Sequence, residues 1–239
     1  MKYLDLTLPT PQANLACDEA LLDWCEAGHA SEILRFWEAR ESFVVVGYAN
    51  KIATEVSLPA CRAHNIPVLR RCSGGGTVLQ GPGCLNYTLI LKIQESGPLH
   101  SITETNRFIL QRHQESLTAL TGEAIEIHGS VDLTIAKRKF SGNAQRRKRL
   151  CLLFHGTFLL QFDIPLMETF LGMPSKQPNY RQNRSHADFL MNLNAPASSV
   201  KSTLQRAWNA IEPLENVPSE QIESLAQQKY SADEWRFKF

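Results

Sequence analysis

The irregular order of strand-like and helix-like segments is the feature of this 239-residue sequence that most restricts its fold. Segments that are rich in β-branched and aromatic residues, or that alternate polar and apolar side chains, are strand candidates: 33–37, 43–48, 86–93, 132–135 and 150–162. Segments with apolar residues at helical spacing are helix candidates: 14–25, 103–120 and 200–211. Because the two kinds do not alternate as regular βαβ units, the order predicts an α+β domain rather than a doubly wound one.

Three residues mark the expected limits of these helices. Asn14 is the predicted N-cap of the first helix, and Gly122 is the predicted stop of the second. Ile211 completes the apolar face predicted for the third. The polar stretch 176–194 has no strong period, so we expect a long loop, and loops of that length often carry function.

Charge, cysteine usage and hydropathy exclude several classes of protein. The chain has 25 Lys and Arg against 24 Asp and Glu, a net charge of +1, which argues against nucleic acid or an acidic membrane as a partner. No segment approaches the roughly 20 apolar residues of a membrane helix, and residues 1–11 lack the pattern of a secretory leader. The six cysteines include no C-x-x-C pair. We therefore expect a cytoplasmic protein with reduced thiols and no metal site.

Three consecutive glycines follow two arginines in the stretch 70–78, which reads RRCSGGGTV. Glycines let the backbone approach a ligand closely and present N–H groups to an anion, while the arginines supply positive charge. The stretch is neither a Walker A loop nor a dinucleotide-binding fingerprint. It predicts an anion-binding loop, with a flexible turn carrying solvated arginines as the alternative.

A second basic stretch follows Asp132. Seven Lys and Arg residues lie between positions 137 and 149, interrupted by the small and polar sequence SGNA at 141–144. The simplest structure is a turn between strands, with Lys137 and Arg138 at its tip and Lys139 pointing inward; a fully solvated turn is the alternative. A lysine beside small residues can neutralise a carboxylate and a phosphate together, as the activation of a carboxylate by ATP requires.

The third stretch is the apolar segment 150–162, which is interrupted by His155, Gly156 and Thr157. A histidine inside a strand is more often a hydrogen-bonded core residue than a ligand or a base. The adjacent glycine indicates the close approach of a ligand or of another backbone segment.

In this order, the three stretches resemble the lipoate–protein ligase family, within the superfamily of biotin and lipoyl ligases and octanoyltransferases. The resemblance extends from about residue 14 to residue 192. Its matching stretches are Asn14-Leu15-Ala16, Glu19-Ala20-Leu21-Leu22, Leu34-Arg35-Phe36-Trp37, Val44-Val45-Val46-Gly47, 70–78, Asn86-Tyr87, Asp132-Leu133, 138–145 and 155–157.

The resemblance implies a biotin/lipoyl ligase-like catalytic domain with a mixed or antiparallel sheet flanked by helices. It implies that ATP and Mg²⁺ activate lipoate or octanoate as an acyl-AMP. The acyl group then passes to one lysine of a lipoyl-acceptor domain, such as the glycine-cleavage H protein or a dehydrogenase E2 subunit. By position, Lys139 is the catalytic residue, in contact with the acyl carbonyl and the phosphate.

The same resemblance places a larger set of residues around the acyl chain and the nucleotide. These residues are Arg70, Arg71, Ser73, Gly74, Gly75, Gly76, Thr77, Val78, Leu79, Asn86, Asp132, Ser141, Gly142, Asn143, Ala144, His155, Gly156 and Thr157. The loop with Arg181 and Arg184 corresponds more weakly to a segment that covers the adenylate. Residues 1–239 are expected to form a single catalytic domain without the C-terminal accessory domain; either a separate small protein supplies that part, or the enzyme works without it.

Departures from the family pattern leave two other functions open. Cys72 stands where some ligases have a third arginine, and Gln80 and Gly81 replace a common His-Asp pair. One alternative is a lipoyl or octanoyl transferase that acts without ATP. However, the regions where the acyltransferases carry a nucleophilic cysteine contain none here, which disfavours a thioester mechanism, and Cys72 is the one thiol inside the expected pocket. The other alternative is a non-catalytic relative that binds lipoate.

Overall fold

The computed structural model describes residues 1–239 and contains eleven strands and nine α-helices. The strands are β1 (Lys2–Asp5), β2 (Ile33–Glu38), β3 (Phe43–Val46), β4 (Val68–Arg70), β5 (Val78–Gln80), β6 (Cys84–Lys92), β7 (Ile125–His128), β8 (Asp132–Ile135), β9 (Arg138–Arg147), β10 (Cys151–Leu159) and β11 (Glu212–Pro213). The helices are α1 (Pro11–Glu26), α2 (Ile52–Glu55), α3 (Leu58–Ala63), α4 (Ile102–Thr121), α5 (Leu166–Phe170), α6 (His186–Phe189), α7 (Ala197–Ala207), α8 (Ser219–Leu225) and α9 (Asp233–Arg236).

Eight strands form one mixed sheet in the order β11-β1-β2-β6-β10-β9-β8-β7, and β4-β3-β5 form a second, smaller sheet. In the large sheet β1 runs parallel to β11 and β2, whereas all other neighbours are antiparallel. Helices cover this sheet, which confirms the predicted α+β class with a mixed sheet flanked by helices. No helix of the chain combines the length and the apolar character that crossing a bilayer requires.

The two faces of the large sheet have different neighbours. Because successive side chains of a strand point to opposite faces, Leu89 and Phe154 lie on one face and pack with α4 and α7. Ile90 and Leu153, their neighbours in sequence, lie on the other face and pack with α1 and with part of the small sheet. The site described below lies on this second face.

The first helix begins earlier than the sequence pattern predicts. Thr10, not Asn14, is its N-cap, and the Thr10 hydroxyl accepts a hydrogen bond from the N–H of Ala13. Pro11 then occupies the first helical position, where its missing N–H costs nothing. The Asn14 amide instead bonds to the backbone of Leu8 on the preceding loop.

The remaining predictions for helices and loops have mixed outcomes. Gly122 ends α4 with a left-handed φ of 73°, as predicted. The third helix ends at Ala207, so Ile211 lies beyond it and is 70% exposed, and its predicted burial was wrong. The stretch 176–194 contains a 3₁₀ turn at Asn179–Arg181 and the short helix α6, so it is not entirely a loop.

Candidate active site

A cavity of about 400 Å³ lies between the second face of the large sheet, the small sheet and the segment 172–190. All but three of the predicted site residues line this cavity, and the three exceptions are Arg70, Ser73 and Gly74. Stretches that are distant in sequence, such as the glycine-rich loop and β9, therefore meet around one cavity. Its volume lies within the range of small-molecule sites in proteins.

Lys139 reaches the cavity because of the hairpin between β8 and β9. Ala136 and Lys137 form its turn with φ of 48° and 61°, so the tip lies one residue earlier than predicted. A register shift follows, since Thr134 pairs with Lys139 but Leu133 pairs with Ser141. The Lys139 side chain then lies over Gly142, where a Cβ atom would be only 2.5 Å from the lysine Nζ.

Asp132 holds the Lys139 ammonium in place. The lysine Nζ lies 2.7 Å from Asp132 Oδ1, and the side chains of the pair are 25% and 8% exposed. The second carboxylate oxygen of Asp132 accepts a hydrogen bond of 2.8 Å from the Tyr180 hydroxyl. Burial, together with the neighbouring Asp132 carboxylate, raises the pKa of Tyr180, which keeps this hydroxyl protonated as a donor.

The sheet register places five cavity residues in one row across neighbouring strands. Trp37 pairs with Asn86, Asn86 with Thr157, Thr157 with Gly142, and Gly142 with Asp132. Directly paired residues point to the same face of a sheet, and neighbouring strands are about 4.8 Å apart. We call these five residues the transverse row; the Lys139 ammonium lies over its Gly142 position.

Arg71 carries a buried positive charge in the glycine-rich loop. Its guanidinium donates to the carbonyl oxygens of Gly74 at 2.6 Å and Gly76 at 2.7 Å, and to the Ser73 hydroxyl at 3.1 Å. Burial lowers the pKa of Arg71 to about 10. Since none of its partners is a carboxylate, the arginine fixes the loop and still contributes net positive charge to the cavity wall.

His155 belongs to a buried hydrogen-bonded chain that also includes Ser73, Asp18 and Arg35. Its Nε2 lies 2.6 Å from Ser73 Oγ, and its Nδ1 lies 3.3 Å from Asp18 Oδ2. A carboxylate only accepts, so Nδ1–H donates to Asp18, and Nε2 forms a hydrogen bond with the serine hydroxyl. Burial alone would raise the pKa of Asp18, but the adjacent Arg35 and His155 outweigh it and lower that pKa.

The hydrogen-bonded residues Ser73, His155 and Asp18 are connected in the order of a Ser-His-Asp catalytic triad. However, Ser73 is only 1% exposed and does not line the cavity. Its hydroxyl also accepts a hydrogen bond from Arg71. The arrangement therefore connects the glycine-rich loop to β10 and α1. Residue patterns in the sequence did not identify Asp18 and Arg35 as part of this network, although an arginine within the apolar strand β2 was the available signal.

The side chains of two other predicted site residues form hydrogen bonds within the protein instead of facing a ligand. Arg70 donates to the carbonyl oxygens of Gly47, Tyr48 and Asn50 and to the C-terminal segment at residues 235 and 236, so it anchors backbone rather than lining the cavity. The Asn143 amide donates to Val131 O, accepts from the Tyr87 hydroxyl and occupies the space of a Cβ on Gly156.

The segment 172–190 contributes a second buried cation. Arg181 lines the cavity, is 5% exposed, and has an Nη2 atom without any hydrogen-bond partner within the protein. Burial and then the neighbouring Arg184 lower its pKa. With Arg71, the cavity wall thus contains two buried guanidinium groups that no carboxylate of the chain neutralises.

None of the six cysteines lines the cavity, and all six are buried free thiols. Burial raises the pKa of Cys72 to about 12, so it is a thiol rather than a thiolate at neutral pH. The neighbouring arginines in the sequence, Arg70 and Arg71, therefore do not make Cys72 a reactive thiolate.

Comparison with known proteins places these observations in a family. Residues 10–213 match the family described as the lipoyl protein ligase A/B catalytic domain. Octanoyltransferase LipM of Geobacillus kaustophilus is 27% identical, covering 99% of this chain and 98% of that protein. The probable lipoate-protein ligase A of Mycoplasma pneumoniae is also 27% identical, over 99% of this chain and 72% of that protein.

Solved structures agree with this assignment at the level of the fold. The bi-partite lipoate protein ligase of Thermoplasma acidophilum matches with a TM-score of 0.79 and 23% identity, over 99% of this chain and 96% of that one. A lipoate-protein ligase A bound with ATP matches with a TM-score of 0.77 and 25% identity, over 99% of both chains.

Proposed function

Because the chain belongs to the lipoyl protein ligase A/B catalytic-domain family, we propose that it moves an octanoyl or lipoyl group from a carrier thioester to a lysine of a lipoyl-acceptor domain, without ATP. It is an enzyme of the group that includes lipoate ligases and octanoyltransferases. The likeness to octanoyltransferase LipM over almost the whole of both chains supports the transferase as the leading function.

The position of Lys139 is the observation that carries this proposal. Its ammonium lies over Gly142 at the wall of an apolar cavity, and Asp132 fixes its direction. When the acceptor amine attacks an acyl carbonyl held there, negative charge develops on the carbonyl oxygen. A pre-oriented cation in a site with little water stabilises that charge without reorganisation.

Transfer of the acyl group from the thioester to the acceptor amine needs no cofactor. The new C–N bond forms at the acyl carbon, the C–S bond to the carrier breaks, and the proton lost by the amine protonates the released thiolate. No cysteine lines the cavity, so the acyl group passes directly from carrier to acceptor rather than through a thioester on this protein.

A second candidate is the ATP-dependent ligase, and the two unneutralised arginines of the cavity favour it. Arg71 and Arg181 fit the phosphates of a nucleotide or of an acyl-adenylate, because buried guanidinium groups without a carboxylate partner attract anions. Mg²⁺ would be held by phosphate oxygens; Glu55 is the cavity carboxylate without a cation partner in the chain, but its Oε1 already accepts hydrogen bonds from Ser175, which leaves Oε2 for a cation. Bound there, Mg²⁺ would supply charge neutralisation at the phosphates.

Acceptors of the kind this proposal needs are small lipoyl-acceptor domains, such as the glycine-cleavage H protein or a dehydrogenase E2 subunit. The Thermoplasma acidophilum structure describes an E2 lipoyl domain together with its ligase, which supports such a partner. A separate accessory-domain protein belongs to the ligase candidate, and the transferase does not require one.

Mass spectrometry of an acceptor domain separates the two candidates. The protein is incubated with the acceptor and octanoyl-loaded acyl carrier protein, or with the acceptor, octanoate and Mg-ATP. An acceptor whose target lysine is replaced by arginine is the control. The proposal predicts the octanoyl mass increase with the loaded carrier alone. A mass increase only with ATP, accompanied by AMP release, would establish the ligase, and no increase in either arm would reject both.

A further inference from the structure

His186 lies in the cavity wall with both of its ring nitrogens free. It is the first residue of α6, it is 8% exposed, and it lines the cavity. Neither ring nitrogen makes a hydrogen bond or an ion pair within the protein, and neither is among the fully enclosed polar atoms without a partner. Both nitrogens therefore keep accessible surface, and the ring can exchange a proton with a molecule in the cavity.

Backbone contacts hold α6 beside Lys139. The Met191 N–H donates to Lys139 O at 3.0 Å, and Lys139 forms an isolated parallel bridge with Leu190. The Leu190 N–H donates to His186 O at 2.9 Å, so these two residues are one turn apart on the same side of the short helix, and both line the cavity. His186 therefore lies about one helical pitch, roughly 5.4 Å, from the residue that adjoins Lys139.

Attack by an acceptor lysine requires a group that takes a proton from its amine. The nitrogen loses one proton as the C–N bond forms, and the thiolate released from the carrier gains one. A positioned base accelerates such a step by about 10²–10⁴-fold, and it is most effective when its pKa lies near the working pH. Imidazole, with a reference pKa of about 6.5, is the side chain that meets this condition.

The carboxylates of the cavity wall are less suited to this task. Asp18 is paired with Arg35, and Asp132 is paired with Lys139. Glu55 keeps one carboxylate oxygen free. However, the reference pKa of a glutamate is about 4.3, which makes it a weak proton acceptor at neutral pH.

The other histidine of the cavity wall, His155, has no free nitrogen. Its Nδ1–H donates to Asp18, and its Nε2 lies 2.6 Å from Ser73 Oγ. His155 is therefore held by partners on both sides of the ring. His186 is the cavity histidine whose lone pair is available to a substrate.

The surroundings of His186 favour the neutral imidazole. The charged side chains on α5, at the start of β9, on the 3₁₀ turn and on α6 itself are Glu168, Arg138, Lys139, Arg181 and Asp188. Burial and then Arg181 lower the pKa of His186, and Glu168 opposes them with a smaller effect. The ring is therefore unprotonated at neutral pH, as a proton acceptor must be.

We propose that His186 is the general base of the transfer, which takes the proton from the acceptor lysine as its nitrogen bonds to the acyl carbon. The inference rests on the proposed function, because it takes the acyl carbonyl to lie at Lys139. The imidazole accepts the amine proton as the C–N bond forms and gives it to the carrier thiolate as the C–S bond breaks, so it is neutral again after each turnover. Lys139 stabilises the oxygen, and His186 removes the proton.

The ratio of the transfer rates of the native protein and His186→Gln, measured across pH at saturating octanoyl-loaded carrier and acceptor domain, tests this role. Ionisation of the acceptor lysine affects both proteins equally and cancels in the ratio. The expected ratio is about 10²-fold at neutral pH. It should fall toward one below about pH 6.5, where the native imidazole becomes protonated and no longer accepts a proton.

Two results overturn the proposal. One is a ratio within threefold of one at every pH. The other is a large ratio that does not change with pH, which indicates a structural role for the ring. Thermal unfolding verifies that His186→Gln folds, and His186→Asn replaces it if it does not.

A control variant and a binding measurement separate proton transfer from substrate binding. His64→Gln is the control, because His64 is an exposed histidine that does not line the cavity, and it should transfer at the native rate. Isothermal titration calorimetry should give octanoate affinities within about threefold for the native protein and His186→Gln, because the base acts on the amine. A loss of octanoate affinity that matches the loss of rate contradicts the assignment.

Failure of this inference is distinguishable from failure of the proposed function. If the native protein transfers the acyl group from the carrier and the ratio stays near one, only the role of His186 fails. If it transfers only with octanoate and Mg-ATP, the transferase fails, and the same ratio measured in that reaction decides the role of His186. If it transfers in neither reaction, both proposals fail.

Discussion

The two faces of the large sheet are made by alternate residues of the same strands, yet they differ in how their polar groups are treated. On the face covered by α4 and α7, the Trp208 indole donates to His113 Nε2 and the Tyr87 hydroxyl donates to Asn143, and of these groups His113 Nδ1 alone lacks a partner. On the other face, the Trp37 indole nitrogen and the Asn86 amide nitrogen have no hydrogen-bond partner within the protein, and the ion pair of Arg35 with Asp18 is buried on the same side of the sheet.

This difference shows how one sheet separates stability from function. Close packing of apolar side chains supplies the free energy that folding needs, and it is more extensive on the first face, where 22 buried residues form one cluster against 18 on the second. The second face can then retain buried charges, which destabilise the protein by themselves but can orient a bound substrate. Substitutions on the first face should therefore lower the free energy of unfolding, whereas substitutions at the cavity should lower the rate of acyl transfer.

The largest effect is expected at Lys139. Lys139→Met should lower the rate of acyl transfer by about 10²–10³-fold, because the developing negative charge on the acyl oxygen loses its cation. Lys137→Met is the matched control, since Lys137 is an exposed lysine at the tip of the same hairpin. Transfer rates are measured by mass spectrometry of the acceptor domain, and thermal unfolding verifies that both variants fold. A Lys139→Met rate within threefold of the control would refute the role of this lysine.

Adjacent residues of β6 test the two faces against each other. Leu89→Ala should lower the free energy of unfolding by about 3–5 kcal/mol, because Leu89 is fully buried against α4 and α7 and its loss leaves a cavity. Thr88→Val on the opposite face should not lower it, since the change removes a buried hydroxyl that has no partner. Urea unfolding of the two variants gives the comparison, and equal losses would show that the faces do not differ in this way.

The smallest effect is expected at Cys72. Cys72→Ala should change the transfer rate by less than about twofold, because this thiol is buried and its raised pKa keeps it protonated. The same transfer assay measures it, with unfolding free energy recorded to separate activity from stability. A loss of a hundredfold or more in a folded variant would instead establish an acyl-thioester mechanism through this cysteine.

Much of this architecture could be predicted from the sequence because its signals are local. The strands and the glycine-rich loop carry their own residue patterns, and the motif that contains Lys139 identified it as the candidate catalytic residue. What the sequence did not reveal depends on register and on distant contacts. The register shift between Leu133 and Thr134 decides that Lys139 lies over Gly142. Nothing in the local pattern around Tyr180 indicates that its hydroxyl bonds to Asp132.

Contacts between distant residues also explain why the start of the first helix and the hydrogen-bond partners of Arg70 and Arg71 were not predicted. Asn14 and Thr10 are both good N-caps, and two features favour Thr10: Pro11 suits the first helical position, and the Asn14 amide is used by the loop at Leu8. Arg70 and Arg71 are equivalent by type, but the side chain of Arg70 contacts the C-terminal segment, whereas that of Arg71, just after β4, contacts the glycine-rich loop. Sequence periodicity does not contain this information about partners.

A crystal structure of the protein with octanoate tests the role of Lys139 most directly. We expect a carboxylate oxygen within about 3 Å of Lys139 Nζ, with the alkyl chain following the transverse row toward Asn86. A carboxylate bound elsewhere in the cavity, with Lys139 paired only to Asp132 or turned to solvent, would contradict it.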